Sequence, residues 1–458
     1  MTDVLLICPK SDRPFHYKYV PLSPPLGLGY LGKALSLEGI SFKILDMYCT
    51  PLSSNEIYQY ISDENPKMIG FMVYTEAVNT MYTIAKMAKK INSNIFTFAG
   101  GPHATFKTVD IVKGHEELDV AIAHEGEEII IELWNALQSE CPDFSTIRGI
   151  AYKADEEVYF TGIRAPIHDL DYYGYPDRDW FPHVEKYLEP STIISSRGCP
   201  GHCSFCGGAN ISGGLYRKRS VASVMEELDY LGKKFPNDVT IFWDDAFGFD
   251  TKRLRTLCEE MIRVKSHAWS CGIRVDRVSL DLLKLMKDAG CVKINFGVES
   301  GSQKVLDEAM KGVSLDQIRN AVKWAQEAGI YNSCSIIIGH PSDTVETVEE
   351  TLRFAEELLN NGATSCTFNA MVPFPGTFVY EKREELGTKF IADAWEEYNF
   401  LNPVFETKGL NAEQLRKYLI EGLLLWGKYK NNRDAMQGRI KKRDSILLGE
   451  FLGRNVQT

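Results

Sequence analysis

The chain alternates short, nearly unbroken apolar runs with longer segments whose apolar residues recur at helical spacing. Val4 to Cys8 ends at Pro9 and reads as a strand buried on both faces. Pro24-Pro25-Leu26-Gly27-Leu28-Gly29-Tyr30-Leu31-Gly32 opens a helix through Leu37, and Phe42 to Leu45 is a second strand ending at Asp46. Met68 to Val73 runs into Tyr74-Thr75-Glu76 and a helix to about Lys90. Ile95 to Phe98 runs into Gly100-Gly101-Pro102-His103, and Val120 to Ala123 into His124-Glu125-Gly126-Glu127 and another helix. Such alternation predicts an α/β domain with a doubly wound parallel sheet over residues 1–145. Ligands of these sheets lie beyond the carboxyl ends of the strands, where glycines and turn residues cluster here.

Residues 146–190 read as a connector with a hairpin: Arg148 to Tyr152, a polar turn at Ala154 to Glu157, then Val158 to Thr161. From Ser191 the strand–helix pattern repeats six times, with strands near Thr192–Ser195, Val239–Trp243, Ser270–Arg274, Val292–Val298, Ser333–Ile338 and Thr367–Val372. In the first intervening helix Val221, Val224, Leu228 and Leu231 share a face behind Ser220 as N-cap. The expectation is a partial (β/α)6 barrel over 191–380, its site at the C-terminal strand ends. A helical cap over 381–458 includes Leu415 to Tyr429. Trp395, Tyr398 and Phe400 read as packing residues, with a cap over the barrel mouth and its substrate as the alternative, and the basic run Arg439 to Arg443 as a solvated face.

The chemistry concentrates in Cys199-Pro-Gly-His-Cys203-Ser-Phe-Cys206. Three thiolates on one loop suit an iron–sulfur cluster and leave its fourth iron open, with Phe205 beside it. Zinc is the alternative, but its closed site wants a fourth ligand; His202 lies inside the loop and Cys258 far downstream. A formal net charge of −11 argues against a nucleic-acid partner. No run reaches the ~18 apolar residues of a spanning helix, and Met1-Thr-Asp-Val starts no signal peptide. Eleven cysteines in 458 residues then point to a reducing cytoplasm rather than a disulfide framework.

The cysteine loop resembles that of the radical S-adenosylmethionine (SAM) superfamily, and the resemblance spans about Ser191 to Thr377. It implies a 4Fe–4S cluster whose open iron binds SAM, and reductive cleavage to a 5′-deoxyadenosyl radical. SAM contacts would come from Asp244 and Asp245, Arg274, and Glu299 and Ser300 of Asn295-Phe-Gly-Val-Glu-Ser-Gly301. Ile338-Gly-His-Pro341 and Val372-Pro-Phe-Pro-Gly-Thr377 resemble segments that surround the adenine.

The first third resembles the cobalamin-binding domain fused ahead of many such cores. Pro-Pro-x-Gly-x-x-Tyr-Leu, the Asp46 strand end, Gly-Gly-Pro-His and Glu-Gly-Glu carry the likeness. It implies cobalamin contacts at Thr75, Glu76, Gly100, Gly101, His103, Glu125 and Gly126. The Asp-x-His-x-x-Gly loop that gives cobalt a lower histidine elsewhere is absent, so cobalamin is expected to bind without one. His103 and His124 read as loop histidines bonding phosphate, amide or water. Gly27-x-Gly29-x-x-Gly32 is a weak dinucleotide signal, since it does not directly follow a strand.

Taken together, the resemblances imply a cobalamin-dependent radical SAM methyltransferase acting on an unactivated carbon of a small molecule or lipid. An electron donor such as flavodoxin or ferredoxin is then a partner. A ring-forming or rearranging enzyme with the same cofactors is the first rival. A methylthiotransferase would need three more cluster cysteines; Cys8 and Cys49 roughly suit two, Cys141 lies too far on, and all three read as small apolar residues. A sensor without turnover would not need the SAM segments.

Overall fold

A computed structural model describes residues 2–11, 22–155, 157–400 and 402–430. Strands β1 (Val4–Cys8), β2 (Phe42–Asp46), β3 (Met68–Met72), β4 (Phe96–Gly100) and β5 (Val120–Ile122) form a parallel sheet in the order β2-β1-β3-β4-β5. Helices α1 (Leu26–Leu37), α2 (Ser54–Glu64), α3 (Val78–Ile91), α4 (Pro102–Phe106) and α5 (Glu127–Ala136) connect them. The unbroken apolar run of β1 serves two cores. Val4, Leu6 and Cys8 pack with α1 and α5, while Leu5 and Ile7 pack with α2 and α3.

The hairpin expected as a connector is instead the edge of this sheet. Strands β6 (Ile150–Ala154) and β7 (Glu157–Phe160) extend it antiparallel from β5, with Ile122 opposite Ile150. Ile150 and Ala151 are fully buried, so the hairpin completes the core rather than bridging solvent. The glycine triplet also has a packing role. A Cβ on Gly29 would lie 2.8 Å from Phe181 and Pro176, and one on Gly32 2.6 Å from Phe42. These glycines let α1 approach its neighbours; they do not form a nucleotide loop.

The second unit begins with β8 (Thr192–Ile193), the short antiparallel pair β9 (Ser196–Arg197) and β10 (Arg217–Lys218), and α6 (Gly208–Ile211) between them. Strands β11 (Thr240–Phe242), β12 (Trp269–Ile273), β13 (Cys291–Glu299), β14 (Tyr331–Ile338) and β15 (Ser365–Ala370) follow. With β8 they make a six-stranded parallel sheet ordered β15-β14-β13-β12-β11-β8, whose two ends do not pair. The barrel is therefore open. The covering helices are α7 (Val221–Lys234), α8 (Thr251–Val264), α9 (Leu280–Asp288), α10 (Gln303–Glu308), α11 (Leu315–Glu327) and α12 (Val345–Asn360). Ser220 caps α7 as its sequence position predicts, accepting from the Ser223 N–H at 3.1 Å.

A buried Arg–Glu–Arg group joins the connector to the barrel. Arg178 and Arg219 both bind the Glu227 carboxylate, and all three residues are at most 2% exposed. The C-terminal helix Ala412–Lys430 packs Leu415, Tyr418 and Leu419 on the barrel core. Just before it, Trp395 packs among the residues of the first sheet, and Asn79 on α3 donates to Glu396 at 2.5 Å. The C-terminal segment thus touches both units. The basic run Arg439 to Arg443 lies outside the described residues.

Candidate active site

The cluster loop follows β9 through Gly198, whose φ of +88° puts it in the region that favours glycine. A Cβ there would lie 2.0 Å from the Leu215 carbonyl oxygen. Cys199 and Cys203 are half-buried and Cys206 is exposed. Gly201 N–H points to Cys199 Sγ at 3.3 Å, and Gly208 N–H to Cys206 Sγ at 3.4 Å. Arg274 Nη1 stands 4.0 Å from Cys203 Sγ. Burial pushes the Cys203 and Cys206 thiols up, the latter to about 11, and the charges of neighbouring cysteines add to it. Lys311 and Arg274 pull Cys203 back down. Three thiols that repel one another as anions, beside backbone donors and two cations, fit an iron-bearing cluster that takes the place of their protons.

Cys258, the next cysteine along the chain after the loop, lies in the barrel core and not beside the loop.

Three of the expected SAM residues border this loop. Asp245 accepts the Gly198 N–H at 3.0 Å, and burial raises its carboxyl. Arg274 pairs with Asp276 at 2.9 Å and also donates to the Lys311 carbonyl. Glu299, at φ +67°, pairs with Lys311 at 2.6 Å; both side chains are at most 10% exposed. The other two bond the scaffold. Asp244 accepts from Ser195 N at Oδ1 and from the Ser195 and Ser196 hydroxyls at Oδ2, at 2.5–2.7 Å, which leaves Oδ1 one further acceptor site. The Ser300 hydroxyl bonds Thr351 and takes the Ser302 N–H at the start of α10.

Sequence reasoning missed Lys311. Its ammonium lies 5.9 Å from the Phe205 ring centre and ties that aromatic to Glu299. The available signal was a single lysine in the otherwise apolar stretch Ala309-Met-Lys-Gly-Val313. His340, within Ile338-Gly-His-Pro341, meets the Phe205 ring edge-on at 5.5 Å, and burial lowers it to about 4.

At the strand ends of the first sheet, Thr75 Oγ1 holds His103 Nδ1 at 3.1 Å, both residues buried. Burial drops His103 to about 4, and its ring meets Trp395 edge-on at 5.3 Å. Glu76 accepts from Tyr48 at 3.4 Å, its carboxyl raised by burial. A Cβ on Gly100 would meet nothing closer than 3.9 Å, whereas Gly101, at φ +92°, packs its α-carbon against Val73, where a Cβ would lie 3.0 Å from the Val73 nitrogen. His124 has its own partner, with Nδ1 2.7 Å from the Ile211 carbonyl.

Glu125 and Gly126 also have partners within the protein. Glu125 accepts from Arg197 at 2.7 Å, Arg217 at 2.8 Å and the Ile167 N–H at 2.8 Å. Gly126 starts α5 against Leu31, where a Cβ would lie 3.2 Å from that side chain. Both stand at the junction between the units. Arg197 completes that junction by pairing with Glu127 at 2.7 Å and lying 4.6 Å over the Tyr30 ring. Nearby, Phe106 of α4 reaches the cluster side. It lies 2.2 Å from where a Gly376 Cβ would be and 3.5 Å from that of Gly207.

A three-cysteine loop on an open parallel barrel, locked to a doubly wound sheet with donor-rich strand ends, defines a two-cofactor enzyme class. Comparison with known proteins agrees. Residues 193–355 match the radical SAM superfamily and residues 18–133 the B12 binding domain. An "uncharacterized methyltransferase" of Pyrococcus horikoshii is 32% identical over 424 residues, covering 91% of this chain and 90% of its own. An anaerobic magnesium-protoporphyrin IX monomethyl ester cyclase of Rubrivivax gelatinosus is 28% identical, covering 86% of this chain and 71% of its own. The radical SAM methyltransferase TsrM from Kitasatospora setae, solved with cobalamin and a [4Fe-4S] cluster, superposes with a TM-score of 0.74. That match covers 94% of this chain and 89% of TsrM at 18% identity, and speaks for the fold.

The chain belongs to the cobalamin-dependent radical SAM enzymes. Its cofactors are a 4Fe–4S cluster, S-adenosylmethionine and cobalamin. Among the described residues no helix is long and apolar enough to cross a membrane.

Proposed function

We propose that this enzyme transfers a methyl group to an unactivated carbon of a small molecule or lipid. The observation that carries the reading is the closeness of the two units at the cluster loop, where Phe106 of the cobalamin unit stands against Gly207 and Gly376. When bound, the cluster with SAM supplies a carbon radical and cobalamin supplies the methyl group. Cys199, Cys203 and Cys206 hold the cluster. Asp245 and Glu299 offer carboxylates, and Arg274 and Lys311 cations, to the zwitterionic end of SAM. Phe205 and His340 wall the far side of the loop. Thr75, His103, Gly100 and Gly101 receive the cobalamin tail, and that unit extends through the β6–β7 hairpin. The 32% identical methyltransferase relative supports the reading. A flavodoxin or ferredoxin supplies the electron.

A methylase consumes SAM twice, as radical source and as methyl donor. In assays with methyl-labelled SAM, 5′-deoxyadenosine and S-adenosylhomocysteine should both accumulate, near one each per labelled product. The 28% identical cyclase relative favours a second reading, ring formation. It gives deoxyadenosine with neither homocysteine product nor label.

A further inference from the structure

The open barrel has an inner face unlike that of ordinary (β/α) barrels, whose interiors fill with bulky branched side chains. Residues paired in register on parallel strands share a face. Gly272 pairs with Asn295, Asn295 with Ser333, Ser335 with Thr367, and Ile337 with Asn369. The alternate positions, including Cys271, Ile294, Phe296, Cys334 and Ile336, form the core beneath the helices. The concave side is therefore the one carrying Asn295, Ser333, Ser335, Thr367 and Asn369, with Ile337 among them and Lys293 at its N-terminal end, a face made mostly of amides and hydroxyls.

This face is partly joined to itself. Asn295 Nδ2 donates to Ser335 Oγ at 3.2 Å, and Ser335 lies 3.3 Å from the Thr367 hydroxyl. It is also open. Asn295 and Gly272 are exposed although they sit mid-strand, and Ser335, Thr367 and Asn369 are half-buried. Trp243, one residue before Asp244 at the end of β11, is 44% exposed on the same barrel. The ionised groups at the rim, Arg274 beside Asp276 and Glu299 beside Lys311, serve the SAM end, which leaves the amides and hydroxyls to the substrate. A hydrocarbon skeleton seated here would strip water from amides and hydroxyls and return no hydrogen bond. A ligand with its own hydroxyl or amide groups would replace those bonds, with an apolar flank left for Trp243.

We propose that the concave face around Asn295, Ser335 and Thr367 seats the substrate, and that the substrate is a neutral, water-soluble molecule bearing hydroxyl or amide groups. This rests on the methyl-transfer reading and narrows its substrate class.

The test uses reconstituted holoenzyme, a reductant and methyl-labelled SAM, with an aqueous metabolite extract and an organic lipid extract of cells as separate probes. Label should enter compounds of the aqueous extract that pass both anion and cation exchangers. Label in the lipid extract, or only in ionic compounds, overturns the proposal. Asn295→Leu and Thr367→Val should each lower labelled product per deoxyadenosine at least tenfold, with iron and cobalamin content unchanged. Should Asn295→Leu fold poorly, Ser335→Ala removes one hydroxyl with little change of volume and should lower the same ratio severalfold. If no variant moves the ratio, the face holds only solvent and the proposal fails. Failure of methyl transfer looks different: the aqueous extract stimulates deoxyadenosine formation without any label. The seat is then read from that stimulation, which Asn295→Leu should abolish; its survival counts against the proposal.

Discussion

Glu125 and Arg197 meet at 2.7 Å across the junction of the two units, two residues ahead of Cys199. The carboxylate comes from the loop after β5 and the guanidinium from the strand that leads into the cluster loop. Arg197 also binds Glu127 and covers Tyr30, so three residues of the first unit hold one side chain of the second. That grip fixes how far the strand ends of one unit stand from the cysteines of the other.

Cutting the grip should therefore loosen the relation between cofactors before it empties either site. Removing one partner of a mostly buried pair costs on the order of 3–5 kcal/mol. Arg197→Ala should lower the unfolding temperature by several degrees. It should also weaken the relaxation of the reduced cluster's paramagnetic signal by Co(II), while Arg197→Lys retains part of it. An unchanged relaxation rate would mean that the junction does not set the cofactor distance.

The cluster assignment has a simple expected outcome. Replacing Cys199, Cys203 and Cys206 together with Ala should remove iron, sulfide and the brown absorbance from anaerobically reconstituted protein. Retention of a full cluster by the triple variant, or stoichiometric zinc in the native protein, would contradict it.

Much of this was legible in the chain. The strand runs, the open barrel and the cysteine loop follow from local pattern, because apolar periodicity and short-range spacing survive without tertiary knowledge. The internal partners of Glu125, Asp244 and Ser300 do not. A carboxylate in a loop looks the same whether its partner is a ligand or an arginine in another domain, and only the fold brings Arg197 to Glu125. The hairpin was read as a connector because nothing local to Ile150 says that β5 offers it an unpaired edge. Lys311 escaped for a similar reason: its partner Glu299 lies twelve residues upstream, across a helix and two turns.

The Lys311–Glu299 pair gives a coupled outcome. Lys311→Met leaves a buried carboxylate unpaired, which costs on the order of 3 kcal/mol. Adding Glu299→Gln should restore most of that stability, so thermal unfolding of the two single variants and the double should be strongly non-additive. Additive losses would show that the two side chains do not act as a pair.

Acid should weaken the apoprotein partly through two buried histidines. His103 and His340 are each lowered to about 4 by burial, against about 6.5 when unfolded. Between those values the unfolded chain binds more protons, so stability rises with pH. The contribution is present above about 6.5 and is lost as pH falls toward 4, on the order of 3 kcal/mol for each histidine. Denaturation midpoints of His103→Asn and His340→Leu should fall less steeply over that window than those of the parent. Parallel curves would remove the histidines from the acid response. His103, held by Thr75, should also give no nitrogen superhyperfine splitting on Co(II) cobalamin.

Methyl transfer itself is tested most directly by a single turnover. Enzyme loaded with trideuteromethyl-cobalamin is given unlabelled SAM, a reductant and the aqueous extract. The first product formed should carry three deuterons, and later turnovers should carry none. Product without deuterium in the first turnover, or a product that has gained no carbon, would contradict methyl transfer from cobalamin.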